Sequence, residues 1–151
     1  MNIKDILKKD HREALDLCEK ICQQKFEGSE LTSQFNKLYE AVIAHAHAEQ
    51  KVLYQFLKNS KKEELREFSL EGEVEHTIVE DLLGLLKRSR KKGGEQWMAR
   101  CKVVKELLEH HIEEEEGELF EMMDKEISKE EMETLGKEML EKEEQEKKMA
   151  A

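Results

Sequence analysis

Proline is absent from this 151-residue chain and glycine occurs only seven times. Both residues weaken helix interiors, so their scarcity leaves long helices unobstructed. Charged residues make up 41% of the chain, with glutamate and lysine throughout, a composition of long helices in which almost no strand is expected. No apolar run approaches the roughly 18 to 20 residues that span a bilayer. The first residues, MNIKDILKKDHREAL, are too charged for a secretory signal, and a cytoplasmic protein is the expectation. An excess of positive charge is also missing. The formal net charge of -10 argues against nucleic acid and against anionic membrane surfaces as partners. Cysteine is scarce, at three, too few and too odd in number for a disulfide framework. Cys18 and Cys22 stand four apart on one helix, where a bridge would join nothing, so the three read as small apolar residues in or near the core.

What is present is helical periodicity. Helix 1 is expected over about 3–25, with Ile3, Leu7, His11, Leu15, Cys18 and Cys22 inward. FEGS (26–29) breaks it. Helix 2, about 30–57, turns Leu38, Val42, His45, Glu49, Val52 and Phe56 inward. Ser60 with Glu63 reads as a capping box opening helix 3, irregular near Ser69 and Gly72, with His76, Val79, Glu80, Leu83 and Leu86 on its inner face. Gly93 and Gly94 precede helix 4, about 95–125, whose inward set is Val104, Leu107, Leu108, His111, Glu115, Leu119 and Met122. A second capping box, Ser128 with Glu131, opens a short fifth helix resting on Ile127, Met132, Leu135 and Met139. The expectation is an all-α, antiparallel up-down-up-down four-helix bundle with a short fifth C-terminal helix. It forms one domain over 1–140, followed by a charged, solvated tail over 141–151.

Residues equidistant from the turn of an antiparallel hairpin share a height. The midpoints between His11 and His45, His45 and His76, and His76 and His111 all fall on the three breaks. The four histidines are therefore predicted to meet on one level, with Glu49, Glu80 and Glu115 within about one turn, roughly 5 Å. In each pair, His45/Glu49, His76/Glu80 and His111/Glu115, the spacing of four presents an imidazole and a carboxylate on one face. Glutamate is common here, so one such pair carries little. The conjunction of one histidine per helix, all on apolar stripes and at one height, carries much more. Buried carboxylates need a cation, and no lysine or arginine lies on these stripes. A metal site formed by His11, His45, Glu49, His76, Glu80, His111 and Glu115 is the expectation. The nitrogen and oxygen donor set suits iron, manganese or zinc, and seven ligands suit two carboxylate-bridged ions better than one.

His47, two residues from His45, is read as exposed, as are Glu113, Glu114 and Glu116. His110 with Glu114 repeats the spacing of His111 with Glu115, but the apolar set centres on His111. Tyr39, Tyr54 and Trp97 read as packing or interface residues, Tyr54 lying where a phenol can approach the interior.

Four segments, DHREAL (10–15), HAHAEQKVLY (45–54), EHTIVEDLL (75–83) and HIEEEEGELF (111–120), resemble the hemerythrin family, specifically the hemerythrin-like HHE cation-binding domains, over about residues 6–139. The resemblance implies a non-haem di-iron centre binding dioxygen or a related small molecule, with His11, His45, His76 and His111 as terminal ligands and Glu49 and Glu115 bridging. This sequence departs from the family pattern in two ways. Glu80 stands where oxygen carriers have a second helix-3 histidine, and an anionic ligand there favours the ferric state over reversible oxygen carriage. Gln55 and Glu121 replace prolines that commonly follow the LY and LF of the pattern.

Three functions compete at this stage. One is a di-iron protein that binds or senses dioxygen, nitric oxide or iron. Another is a di-iron oxidoreductase acting on peroxide, dioxygen or nitric oxide. The third is a helical interaction module with a structural metal.

Overall fold

The structure, a computed structural model, describes residues 1–150. Five helices account for nearly all of it. Helix α1 is Ile3–Cys22, with Asn2 Oδ1 accepting the Asp5 N–H at 3.1 Å as its N-cap. Helix α2 spans 28–58 and contains a π-helical turn, Gln50–Tyr54. Helix α3 is Glu63–Arg88. Helix α4 spans 95–126, with a second π-turn at Glu115–Leu119. Helix α5 is Lys129–Ala150. The first four run alternately up and down as a bundle, and α5 turns back along α1 and α2. No helix among the described residues is long and apolar enough to cross a membrane.

The core is divided. One apolar cluster, at the end where the chain begins, joins Ile3, Leu7, Leu53, Tyr54, Leu65, Leu119 and Met123 with the α5 residues Met132, Leu135 and Met139. The other, at the far end, joins Cys18, Ile21, Phe35, Leu38, Leu83, Trp97, Cys101 and Val104. Between them lies the polar layer of inward histidines and glutamates. All three cysteines are free, Cys18 and Cys101 buried and Cys22 half-buried. The Trp97 indole N–H donates to the Leu86 carbonyl at 3.1 Å, and its ring packs on Phe35.

Local chemistry differs from expectation at several points. Ser128 and Glu131 form the reciprocal capping box, with the Glu131 N–H to Ser128 Oγ at 3.1 Å and the Ser128 N–H to Glu131 Oε1 at 3.4 Å. Ser60 does not cap α3, because its Oγ accepts the Lys62 N–H within the turn and Lys62 takes the cap position. Ser69 and Gly72 leave α3 unbroken. They are buried small residues, and a Cβ on Gly72 would lie 2.5 Å from the Tyr54 hydroxyl oxygen. The inward register also slips by one residue after each π-turn. Leu57 is buried where Phe56 was expected, and Met123 where Met122 was expected.

The expected tail over 141–150 is helical and continues α5. The buried positions Met132, Leu135, Met139, Glu143 and Glu146 follow one another at steps of three and four. The contact face therefore continues as carboxylates, of which Glu146 bonds Lys51 and lies 3.4 Å from His47 Nδ1. Ala151 lies outside the described residues.

Candidate metal centre

Four helices each place one imidazole in the polar layer. The rings of His11 and His45 lie 5.2 Å apart, and those of His76 and His111 lie 4.9 Å apart. Their Nε2 atoms point at two wholly buried carboxylates. Glu49 Oε1 is 3.1 Å from His76, 3.7 Å from His45 and 4.0 Å from His111. Glu115 Oε1 is 3.0 Å from His11, and its Oε2 is 3.3 Å from His111. The polar atoms form two groups that share Glu49, namely His11, His45, Glu49 and Glu115, and Glu49, His76 and His111.

Every inward imidazole is also held from behind. The Nδ1–H of His11 donates to Glu116 at 2.6 Å, that of His45 to Asp10 at 2.8 Å, that of His76 to Gln50 at 2.8 Å, and that of His111 to Glu75 at 2.7 Å. A donor on Nδ1 fixes the tautomer that leaves Nε2 free as a ligand, the arrangement that orients metal-binding histidines in general. The Tyr54 hydroxyl donates to Glu115 Oε2 at 2.8 Å from a fully buried ring.

Whether this layer fits a metal is tested by its unpaired atoms. His11 Nε2, His45 Nε2, both oxygens of Glu49 and Oε1 of Glu115 are buried without hydrogen-bond partners. Buried polar atoms are rarely left so, and here they converge. A cation satisfies all of them together, and the nitrogen and oxygen donors suit a transition ion. Without one, the carboxylates draw protons onto the rings. Burial works against a charged His11, but the adjacent carboxylates of Glu115 and Glu116 outweigh it and raise its pKa to about 10. His111 is raised to about 12, burial again being overcome by Glu115, Glu49 and Glu75. Glu115 is held well below the usual carboxylate range, since His111 and His11 outweigh its burial.

The hemerythrin HHE cation binding domain family matches residues 2–123. The chain belongs to that family. A DNA nickase from Nostoc sp. (strain PCC 7120 / SAG 25.82 / UTEX 2576) is 26% identical over 137 residues, which are 88% of this chain and 36% of that protein. The chain thus spans about a third of the length of that relative. No solved structure matches it.

Within this HHE domain, the structure brings together His11, His45, Glu49, His76, His111 and Glu115 and leaves Glu80 apart. Glu80, half-buried, lies 2.7 Å from His47 Nε2. His47 is accordingly a partner of Glu80 and Glu146 and not a freely solvated residue. His110 faces outward and pairs with Glu114 at 2.6 Å. Glu116, expected in water, is half-buried behind His11.

Sequence reasoning missed Asp10, Gln50, Glu75 and Glu116 as partners, although each is the immediate neighbour of an inward residue. A cavity of about 70 Å³ opens beside the layer. It reaches all four histidines between Ala14, Val42, Ala46, Val79, Leu108 and Ile112, with Asp10, Glu143 and Lys147 at its polar side.

Proposed function

We propose that this HHE domain holds two iron ions and binds dioxygen or a related small ligand, such as nitric oxide or peroxide, beside them. His11 and His45 would serve one ion and His76 and His111 the other, with Glu49 and Glu115 bridging. A bridged iron pair supplies reversible electron transfer and an open coordination position for a small ligand. The observation that carries this reading is the convergence of two buried carboxylates, with three unpartnered oxygens between them, on four imidazoles whose Nδ1–H groups are engaged elsewhere.

The chain's own residues set the remaining conditions. Asp10, Gln50, Glu75 and Glu116 hold the rings with Nε2 inward. Tyr54 keeps its proton, being pushed well above the usual phenol range by burial and by Glu115 and Glu49, and so presents an O–H to Glu115. A cavity of about 70 Å³ has room for a molecule of a few atoms and is far below the roughly 300 Å³ at which drug-sized ligand sites begin. Its apolar wall, from Ala14 to Ile112, suits a neutral diatomic.

A net charge of -10 argues against a nucleic-acid partner, so the DNA nickase activity named for the longer relative is not part of this reading. Three free thiols fit a reducing compartment, and a cytoplasmic location belongs to the same proposal.

The test is metal analysis of protein purified without added metal, combined with visible spectra in air, nitric oxide and peroxide. Two irons per chain and a reversible spectral change on adding the ligand are expected. Manganese or zinc in place of iron, or a protein that takes up no transition ion, would sink the iron assignment. Catalytic loss of peroxide at substoichiometric protein would move the reading from ligand binding to oxidoreduction.

A further inference from the structure

Helix α3 carries a row of apolar side chains on its outward face. Leu70, Val74, Ile78 and Leu85 are 55%, 60%, 46% and 42% exposed, and at about 100° per residue they fall on one stripe. The other exposed large apolar residues, Met1, Val103, Leu140 and Met149, stand singly, as is usual on a monomer surface. A contiguous row is not usual and marks a surface that meets something.

The same face is oppositely charged at its two ends. Glu63, Glu64, Glu67 and Glu71 are exposed in its first turns, and the last three line a groove shared with Glu118 and Glu121 of α4. The groove's one cation, Lys125, lies 3.7 Å from Glu121. At the other end Arg88, Arg90 and Lys91 are exposed. Among the described residues, none of the four α3 carboxylates and none of these three cations has an ion-pair partner. Acid at the start and base at the end of a helix suit its dipole, but the dipole does not account for an apolar stripe between them.

We propose that this face binds a second copy of the chain, the two α3 helices running antiparallel about a point between Thr77 and Ile78. That point is midway between Leu70 and Leu85, so each of these leucines meets the other across the two-fold axis. It is also midway between Glu67 and Arg88 and between Glu64 and Lys91. The pairing that covers the stripe therefore sets carboxylates of one copy against cations of the other, whereas a parallel pairing would set like charges together. Asp81 interrupts the stripe and falls opposite Val74 of the other copy, which weakens the association. A helix of 26 residues is about 39 Å long and about 10 Å across, so its face offers a strip of about 400 Å². That is about half of the roughly 800 Å² each partner buries in a standard interface, and the dimer is one that separates on dilution.

Analytical ultracentrifugation of the full chain over a concentration series at low salt tests this, and a monomer–dimer equilibrium is expected. Val74→Glu sets a carboxylate against Asp81 of the other copy and should raise the dissociation constant at least roughly tenfold. Glu67→Arg and Arg88→Glu each bring like charges together twice per dimer and should each raise it roughly tenfold, while the two combined should restore it to within about twofold. Asp81→Ala should tighten the dimer. All four positions are exposed, so each variant should keep its helix content, which circular dichroism checks.

A chain that stays monomeric at every soluble concentration overturns the proposal. A dimer that Val74→Glu leaves intact is formed by another face and overturns it as well. If both single charge reversals weaken the dimer and their combination does not restore it, the antiparallel register is overturned. None of these readouts involves a metal, so the iron reading stands or falls separately.

Discussion

At the scale of single residues, the four outer partners share a rule. Asp10 precedes His11, Gln50 follows Glu49, Glu75 precedes His76 and Glu116 follows Glu115. Neighbours on a helix differ in direction by about 100°, so the residue beside an inward one points sideways at the adjacent helix. There it meets the back of that helix's histidine. The inward histidines were legible because burial imposes a period on them. Their partners were not, because a sideways carboxylate among so many surface carboxylates leaves no periodic trace until the helices are docked. Glu80 shows the converse, since it has the spacing of a ligand yet turns to His47.

The same residues predict the protonation behaviour of the centre. His11 is raised to about 10 and His111 to about 12 in the metal-free protein, so both carry a proton at neutral pH. A metal needs them neutral, and loading should therefore release about two protons per chain near pH 7, measurable by pH-stat, with affinity rising as pH rises. For the metal-free fold the sign runs the other way. Pairing raises these rings above the free histidine value of about 6.5, so the stability they contribute is complete below that pH and is lost as pH climbs through about 10. Denaturant midpoints of metal-free protein should fall over that alkaline range more steeply than those of loaded protein.

A second residue-level outcome concerns Gly72. A Cβ there would lie 2.7 Å from Tyr54 Cζ, and Tyr54 is fully buried. Gly72→Ala should cost about 1–3 kcal/mol by overpacking, read from a denaturant melt. It should also displace the phenol from Glu115, read as a change in tyrosine absorbance.

At the scale of helices, the decisive irregularities are the two π-turns, each placed against an inward glutamate: Gln50–Tyr54 follows Glu49, and Glu115–Leu119 begins at Glu115 itself. Such turns are uncommon and often occur at functional sites. Each accommodates an extra residue and rotates everything after it, which is why Leu57 and Met123 replace Phe56 and Met122 inside. Sequence periodicity placed the helices and their breaks well, but it assumed one unbroken period and so missed this slip. Deleting the exposed Lys51 should remove the extra residue and restore α-helical bonding while keeping Leu57 and the residues after it on the inward face. A change in stability of less than about 1 kcal/mol is therefore expected, checked by chemical denaturation. The length of α5 was missed for a related reason. Its contact face continues as Glu143 and Glu146, residue types that read as solvent-facing until their partners are known.

At the scale of the whole molecule, the bundle and its order were legible, because three turn signals fell midway between successive histidines. The placement of α5 against α1 and α2 was not, since a weakly apolar helix can lie on several faces. Its seat is close: a Cβ on Gly136 would collide with the backbone of Met1, Asn2 and Ile3. Gly136→Ala should therefore lift α5 from α1 and lower the melting temperature, and calorimetry of the variant would measure it.

The histidine layer separates two apolar clusters that draw on the same four helices. Stripped of its ions, such a stack has a weak seam across its waist, and the two ends are free to melt at different temperatures. With ions seated, the seam becomes a rivet, and the ends must let go together. Calorimetry should record two overlapping transitions for the stripped protein and a single sharper one for the loaded protein, making cooperativity itself the reporter of occupancy.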